Sequence, residues 1–100
     1  MTAMTDDRQA GRLQMIFEGD GHAPGRVFAD YAREAETLVI RHVEAEPQLR
    51  NTGAAGRFMQ ALVDHARGEG LKLLPLCSYA ALWLKRHPET QDLVASEPGV

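Results

Sequence analysis

The sequence predicts an α+β fold with a mainly antiparallel sheet of about four or five strands, a long helix and a second, C-terminal helix. Three observations support this prediction. Apolar and β-branched segments recur through the first half of the chain, an amphipathic helical pattern follows them, and a short apolar segment comes next. A length of 100 residues suits one domain. We expect that domain over residues 9–95, after a disordered leader at 1–8 and before a tail at 96–100.

Three segments of the first half have the pattern of strands, namely residues 13–18, 26–32 and 37–43. The second segment places Val27, Ala29 and Tyr31 on one face by the two-residue period of a strand. The third is rich in β-branched residues. Turn-forming residues connect the segments at 19–21 and 33–36. Because these connections are short, the three strands are predicted to form an antiparallel meander.

A helix is predicted over residues 54–67, after Pro47 has interrupted the preceding strand. Its apolar residues recur at helical spacing and are Ala55, Phe58, Met59, Leu62, Val63 and Ala66. Two glycines, at positions 68 and 70, are expected to end this helix. The apolar segment 71–76 is then predicted to be a buried strand. It should run parallel to the strand before the helix, because the helix crosses over between them.

A final helix is predicted to begin at Ser78, whose hydroxyl would cap it, and to end at the His-Pro step of residues 87–88. Its inner face carries Ala80, Trp83 and Leu84. From residue 89 onward we expect a polar tail with only a small apolar patch. The second half of the chain therefore predicts helix, strand and helix in that order.

Composition narrows the classes of function. The formal net charge is −3, so the chain as a whole does not predict binding to nucleic acid or to an anionic membrane. No apolar run approaches the roughly 20 residues that span a bilayer, and the first residues lack the pattern of a secretory signal. The single cysteine, Cys77, excludes an internal disulfide. We therefore expect a cytoplasmic protein.

The loop between the third strand and the long helix is the first candidate for a ligand site. Gly53 gives the backbone conformations that are closed to other residues, and the helix that follows offers unpaired N–H groups with a partial positive charge. Such a helix start is suited to phosphate oxygens. Arg50 and Arg57 flank the loop and could add charge-assisted hydrogen bonds. A plain glycine-containing turn with two solvated arginines fits the same residues.

Several motifs together resemble one known family. The loop Arg50-Asn51-Thr52-Gly53-Ala54-Ala55 is similar to the Arg/Gln-x-x-Gly-x-Gly/Ala motif of the GNAT (GCN5-related N-acetyltransferase) superfamily. The chain resembles in particular the small YjdJ-type branch, over residues 14–93. The further matching stretches are Ile40-Arg41-His42-Val43-Glu44, Val63-Asp64-His65-Ala66-Arg67, Leu74-Pro75-Leu76-Cys77-Ser78-Tyr79 and Arg86-His87-Pro88-Glu89-Thr90-Gln91-Asp92-Leu93.

The resemblance implies a sheet splayed between the strand before the loop and the strand that ends near Leu76, with acetyl-CoA bound in the splay. The residues implied to hold the cofactor are Val43, Arg50, Asn51, Thr52, Gly53, Ala54, Ala55 and Gly56. Asn51 stands where the family usually has glycine, but asparagine tolerates a left-handed backbone better than most residues. Val43 stands where a threonine is frequent, so a side-chain hydroxyl is missing. The implied partners are acetyl-CoA and an amine acceptor, with the chain a monomer or a weak homodimer.

Three residues are candidates for chemistry, each with a structural alternative. The resemblance marks Cys77 as an active-site cysteine, and a helix start favours a thiolate that could accept acetyl. A small buried hydrophobic cysteine is the alternative. His42, which the two-residue period places on the face of Ile40, could deprotonate an ammonium group, or could be hydrogen-bonded within the sheet. Glu44, on the face of His42, could relay a proton or attract a cationic amine, or could be a solvated carboxylate.

Other side chains are weaker candidates. Tyr79 lies on the last helix, where enzymes of this family often use a tyrosine to protonate the leaving thiolate. His87 is more simply a residue that interacts with a helix C-terminus, and Trp83 is more simply core. The histidines and the cysteine lack the spacing of metal-ligand pairs, so no metal is expected.

The sequence thus predicts acetyl transfer from acetyl-CoA to an amine, by direct attack assisted by His42 or through an acetylated Cys77. A non-catalytic module that binds acyl-CoA is the main alternative, because the chain is shorter than a full GNAT enzyme and lacks much of the usual N-terminal helical region. A small protein–protein adaptor is a third hypothesis.

Overall fold

The computed structural model describes residues 4–19 and 22–95. The strands in chain order are β1 (Thr5–Asp7), β2 (Arg12–Gly19), β3 (His22–Glu34), β4 (Thr37–Ala45) and β5 (Lys72–Pro75). The helices are α1 (Ala54–Gly68) and α2 (Ser78–Lys85). Two short 3₁₀ helices, Pro47–Leu49 and Pro88–Leu93, follow β4 and α2. This is the α+β architecture that the sequence predicts.

The sheet has the strand order β1-β2-β3-β4-β5. Strands β1 to β4 each pair antiparallel with the next, as expected for strands that are close in sequence. The turn between β3 and β4 is centred on Ala35 and Glu36. After α1 has crossed over, β5 pairs with β4 in parallel, from Thr37 opposite Lys72 to Ile40 opposite Pro75. The predicted meander and the predicted parallel pair are both confirmed.

The core lies between one face of the sheet and the helices. The apolar face of α1 is closed off from solvent, with Phe58, Met59 and Leu62 fully buried. These side chains pack in one cluster with inward residues of every strand from β2 to β5, and with Ala80 and Leu84 of α2. The opposite face of the sheet, called the outer face below, carries no helix within the described part of the chain. An antiparallel sheet tolerates such one-sided burial when its second face is polar.

Three expectations about the ends of elements were wrong. Thr5–Asp7, part of the leader that was expected to be disordered, forms the edge strand β1 against β2. The N-cap of α2 is Cys77 rather than Ser78, and no side chain caps it. The segment after Pro88 is a 3₁₀ helix rather than a tail, because Thr90 and Leu93 are buried against α1 and α2. The tail at 96–100 and the turn at positions 20–21 lie outside the described residues.

Polar contacts attach the C-terminal 3₁₀ helix to the rest of the domain. The Arg67 guanidinium binds the Asp92 carboxylate, with a closest N–O distance of 2.7 Å, and the Lys72 ammonium group donates to the Asp92 carbonyl. Beyond this helix, Val94 pairs with Leu73 of β5. Within residues 4–19 and 22–95, no helix is both long and apolar enough to cross a membrane.

Candidate functional site

The sheet splays open beside the second half of β4. Strand β5 pairs with β4 only as far as Ile40, whose carbonyl accepts hydrogen bonds from the amides of Leu76 and Cys77 at 2.8 and 3.2 Å. Strand β4 continues to Ala45, paired on its other edge with β3. The amide of Glu46 donates to the Arg26 carbonyl on β3. By strand alternation, the backbone groups of Val43 and Ala45 therefore face the open edge.

A β-bulge at Arg41 reverses the facing of the residues that follow it. Ile40 lies opposite Tyr31 and His42 lies opposite Asp30, so Arg41 is an extra residue in β4. Ile40 is in the core and 1% exposed, whereas the His42 side chain is 53% exposed on the outer face. The expectation that His42 shares a face with Ile40 was wrong, because the bulge breaks the two-residue period.

His42 and Glu44 form a contact pair on the outer face, beside the splay. The His42 Nε2 atom lies 3.0 Å from Glu44 Oε1, and both side chains are more than half exposed. The expectation that these two residues share a face is confirmed. The His42 ring lies 6.3 Å, centroid to centroid, from the ring of Phe28, which fills the sheet surface next to it. The imidazole therefore has a carboxylate partner and an apolar neighbour while remaining open to solvent.

Charged side chains from β2 and β3 make hydrogen bonds and cation–π contacts on the sheet surface around this pair. Arg12 binds Asp30 through two nitrogen atoms, at 2.8 and 3.3 Å, and this hydrogen bonding raises the pKa of the guanidinium. The Arg12 guanidinium carbon lies 4.0 Å from the centroid of the Phe28 ring, and the Arg26 guanidinium carbon lies 5.1 Å from the same centroid. Phe28 is consequently buried although no helix covers it. Asp30 and Phe28 were not singled out in the sequence, where each is one polar or aromatic residue of an ordinary strand.

The loop after β4 is held in shape by its own hydrogen bonds. The Thr52 hydroxyl donates to the Leu49 carbonyl at 2.6 Å and accepts from the amide of Ala54 at 3.2 Å. Asn51 has a φ of 64° and Gly53 a φ of 80°, both in the left-handed region. The prediction that Asn51 accommodates such a backbone is confirmed. At Gly53 a side chain would meet no atom within 4 Å, so glycine is needed there for its conformation and not for space.

The loop leads directly into the N-terminus of α1. The first helical hydrogen bond joins the amide of Arg57 to the carbonyl of Gly53. The amides of Ala55 and Gly56 precede that bond and have no acceptor in the part of the chain that the structure describes. The exposed Arg50 lies at the loop entrance, while the Arg57 guanidinium lies 5.4 Å from the ring of Phe17. This arrangement suits an anionic group such as a phosphate.

Cys77 lies on the other side of the splay from the His42–Glu44 pair. Its side chain is half-buried and packs against the core cluster, on the helix side of the sheet. The bulge has turned His42 and Glu44 to the outer face, so the structure brings those two together and leaves Cys77 apart from them. The three residues predicted to take part in catalysis therefore form two separate groups at the same end of β4, namely the His42–Glu44 pair and Cys77.

Helix α2 carries two further side chains near the splay. Tyr79 is part-exposed, and its burial, with a smaller effect of the nearby Cys77, raises the pKa of its phenol. Trp83 was expected to be core, but it is only half-buried. Its ring stacks on His87 with centroids 3.6 Å apart and 14° between planes, and the indole nitrogen approaches Gly56 at the start of α1. His87 is thus an aromatic partner of Trp83 as well as a helix-end residue.

Other candidate sites lie elsewhere or are not assembled. A cavity of about 190 Å³ lies between Tyr31 and the last turn of α1, where His65 and Glu69 line it. That end of α1 is roughly 20 Å from the loop, given the 1.5 Å rise per helical residue. Among residues 4–19 and 22–95, no group of three or more histidine, cysteine, aspartate or glutamate side chains could hold a metal ion. The expected absence of a metal stays a prediction.

Comparison with known proteins identifies the family of the sequence and a solved structure with a similar fold. The sequence matches a family model described as GCN5-related N-acetyl-transferase over residues 15–93. The fold is similar to the solution structure of a GCN5-like candidate N-acetyltransferase from Staphylococcus aureus, with a TM-score of 0.64 and 19% identity over 96% of this chain and 92% of that one.

A candidate acetyltransferase of the GNAT family from Bacteroides thetaiotaomicron has a TM-score of 0.47 and 18% identity, over 83% of this chain and 47% of that one. The Staphylococcus similarity concerns the fold alone, and the second is too low to add to it. No functionally curated protein matches the sequence.

Proposed function

The chain belongs to the GCN5-related N-acetyl-transferase family, and from this premise we propose that it binds acetyl-CoA in the splay and transfers the acetyl group to an amine. One observation carries the proposal. The open edge of β4 ends at Ala45, a few residues before the loop whose free amides begin α1. This order of backbone groups matches a ligand that has an extended, amide-containing arm followed by a phosphate group.

The open edge suits the pantetheine arm of acetyl-CoA. This arm carries two amide groups, and an unpaired strand edge binds such groups as it would bind another strand. The backbone groups of Val43 and Ala45 are the partners that we propose, since they alternate toward the edge that β5 leaves free. A backbone contact at Val43 needs no side-chain hydroxyl, so the valine at this position is compatible with cofactor binding.

The loop residues suit the diphosphate of the cofactor. We propose that the amides of Ala55 and Gly56 bind its oxygens, with Arg50 adding charge. Asn51, Thr52, Gly53 and Ala54 would act by shaping the loop. The Thr52 hydroxyl is already engaged by Leu49 and Ala54, and the left-handed residues Asn51 and Gly53 set the turn into the helix.

Direct attack is the chemical route that the geometry favours. An amine that approaches from the outer face meets His42, which is solvent-accessible and contacts Glu44. His42 would remove a proton from the ammonium group, with Glu44 holding the imidazole. The amine nitrogen then forms a bond to the thioester carbonyl carbon and releases a second proton to solvent, the carbon–sulfur bond breaks, and the thiolate of coenzyme A leaves. Tyr79 could return a proton to that thiolate and regain one from solvent, because an ordinary tyrosine phenol is protonated at neutral pH.

A route through Cys77 is the second candidate. The Cys77 thiolate would attack the thioester carbonyl carbon, release coenzyme A and carry the acetyl group as a new thioester until an amine displaces it. Its position where β5 leaves β4 favours this route, because the Cys77 amide bonds to Ile40 at the apex of the splay. Its half-buried side chain on the helix side is less open to an acceptor than the outer face is.

Calorimetry with acetyl-CoA, followed by mass spectrometry of mixtures with amines, polyamines and peptides, tests the proposal. We expect saturable binding of acetyl-CoA in calorimetry. In mass spectrometry we expect the acceptor to gain about 42 Da, the difference between an acetyl group and the proton that it replaces. No binding at millimolar acetyl-CoA would refute the assignment. Binding without transfer to any amine would instead support a non-catalytic acyl-CoA-binding module. An acetyl adduct on Cys77 that disappears when amine is added would establish the covalent route.

A further inference from the structure

We propose that the indole N–H of Trp83 is an additional hydrogen-bond donor to the diphosphate of coenzyme A. This inference rests on the proposed function, because it concerns the same cofactor site. It begins with the position of the indole. A Cβ atom built on Gly56 would lie 3.6 Å from the indole nitrogen of Trp83. Cα–Cβ bonds in a helix tilt toward its N-terminus, so the indole nitrogen lies beside the first turn of α1.

The indole ring of Trp83 stacks on a neighbouring side chain that is itself fixed. Trp83 stacks on His87 with a centroid distance of 3.6 Å, and the Nδ1 atom of His87 lies 2.6 Å from the Trp83 carbonyl oxygen. The backbone of Trp83 therefore fixes the imidazole on which its own indole ring stacks. Burial of the C-terminal 3₁₀ helix, which begins at Pro88, fixes this end of α2 in turn. An indole stacked on a fixed imidazole can present its N–H group without losing much rotational freedom on binding.

The indole nitrogen is a donor without an acceptor. Tryptophan offers one N–H group and no acceptor, and a part-buried indole usually finds a partner for it. Within the described residues the Trp83 N–H makes no hydrogen bond. It lies beside Gly56, in the same turn of α1 whose Ala55 and Gly56 amides are also donors without an acceptor among the described residues. A group that satisfies all three must be rich in acceptors, and a diphosphate is such a group.

The absence of a side chain at Gly56 leaves room for that ligand. With glycine at this position, only backbone separates the indole nitrogen from the helix start. A Cβ atom at Gly56 would already contact the indole nitrogen at 3.6 Å, so a longer side chain would compete with the ligand for the space beside it. Trp83 therefore serves the cofactor site from α2, and it couples the position of that helix to the phosphate end of the ligand.

The experiment uses the fact that the chain has a single tryptophan, which gives one indole N–H signal in NMR. Coenzyme A and acetyl-pantetheine, which lacks the diphosphate, are the two probes. Coenzyme A should shift this signal and slow the exchange of the indole proton with solvent, and acetyl-pantetheine should do neither. If coenzyme A binds and the indole proton exchanges as fast as before, the inference is wrong. If coenzyme A does not bind the wild-type protein at all, the proposed function fails as well.

Trp83→Phe supplies a second, independent measurement. It keeps an aromatic ring on His87 and removes the donor. We expect an affinity for coenzyme A about tenfold or more lower, in line with the loss of a hydrogen bond to a charged group, and an unchanged affinity for acetyl-pantetheine. Leu82→Ala is the matched control on α2, because Leu82 is 45% exposed and carries no donor. Equal affinities of Trp83→Phe and wild type for coenzyme A would overturn the inference.

Discussion

Ile40 and His42 lie two residues apart on one strand and yet face opposite sides of the sheet. Ile40 is buried beneath the helices, and His42 stands in solvent beside Glu44. The cause is Arg41, the extra residue of a β-bulge opposite the step from Asp30 to Tyr31. The bulge lies at the point where β5 leaves β4. The bulge therefore absorbs one extra residue between the core segment and the candidate catalytic pair, so that each keeps its own face of the sheet.

Deleting Arg41 is expected to remove the bulge without changing which side chains face the core. Without the extra residue, His42 would follow Ile40 directly, so ordinary strand alternation keeps Ile40 inward and His42 and Glu44 outward in the present register with β3. The free energy of unfolding should therefore fall by no more than about 2 kcal/mol. Urea denaturation measures it. Arg41→Ala keeps the bulge and should change that free energy by no more than about 0.5 kcal/mol. A deletion variant that does not fold would show that the bulge itself is required where β5 leaves β4.

His42→Gln is expected to slow acetyl transfer without weakening the binding of acetyl-CoA. The glutamine keeps a polar side chain beside Glu44 but cannot accept the ammonium proton, so kcat should fall by about 10²–10⁴-fold. The dissociation constant for acetyl-CoA should remain unchanged, since the proposed cofactor contacts come from the open edge and the loop. His65→Gln, on the far turn of α1, is the matched control and should behave as wild type. An unaltered kcat in His42→Gln would remove His42 from the mechanism.

The sequence predicted the sheet, the crossover helix and the loop well, because these features depend on local patterns. Five of the six apolar residues predicted to face the core from α1 are buried, whereas at the start of the helix Ala54 is buried in place of Ala55. Gly53 and Asn51 adopt the left-handed backbone that their residue types favour. The bulge was missed because Arg41 is an ordinary strand residue in sequence. It is defined only by the register between β3 and β4, which is a long-range property.

The remaining errors have related causes. Strand β1 is exposed at all three residues, so it has no apolar alternation to reveal it, and it exists only because β2 offers an edge. The role inferred for Trp83 depends on its approach to Gly56, from a different helix. Contacts between distant segments leave no periodic signal in either segment. Site geometry is therefore harder to predict from one sequence than the order of the elements is.

Gly53→Ala is expected to weaken both the fold and cofactor binding. A side chain at Gly53 has free space, but its φ of 80° is unfavourable for an L-residue, so the cost should be about 1 kcal/mol. The strained turn should also shift the amides of Ala55 and Gly56 and lower the affinity for acetyl-CoA. Gly68→Ala is the matched control, because Gly68 has free space and lies in α1. It should raise stability by up to about 1 kcal/mol and leave binding unchanged. Chemical denaturation and calorimetry check both variants.

Thr90→Val is expected to destabilise the domain by about 0.5–1.5 kcal/mol, the net contribution of one hydrogen-bonded hydroxyl. Thr90 is 1% exposed, and its hydroxyl donates to the carbonyl of His87 at 2.7 Å, with the Leu84 carbonyl at 3.3 Å. Valine has the same shape but removes this donor, while the carbonyls of His87 and Leu84 still accept the amides of Thr90 and His87. Thr5→Val, on the exposed strand β1, is the control and should cost much less. Equal midpoints for the two variants in thermal unfolding would contradict a stabilising role of the Thr90 hydroxyl.

Tyr31 is expected to make the domain sensitive to alkali. Its buried phenol donates to Asp6 Oδ1 at 2.5 Å, and burial followed by this hydrogen bond raises its pKa to about 12. The unfolded chain loses the same proton near pH 10. Because the folded protein holds the proton more tightly, this contribution to stability is complete below pH 10 and is lost as the pH rises toward 12.

Tyr31→Phe should therefore flatten the fall in the free energy of unfolding over that pH interval, relative to wild type. Tyr79→Phe is the comparison, since Tyr79 is more exposed and has no carboxylate partner to hold its proton in the described part of the chain. Its removal should flatten the curve less. Denaturant unfolding at a series of pH values measures both curves. If Tyr31→Phe and wild type lose stability in parallel between pH 10 and 12, the Tyr31–Asp6 contact does not bind the proton as the structure implies.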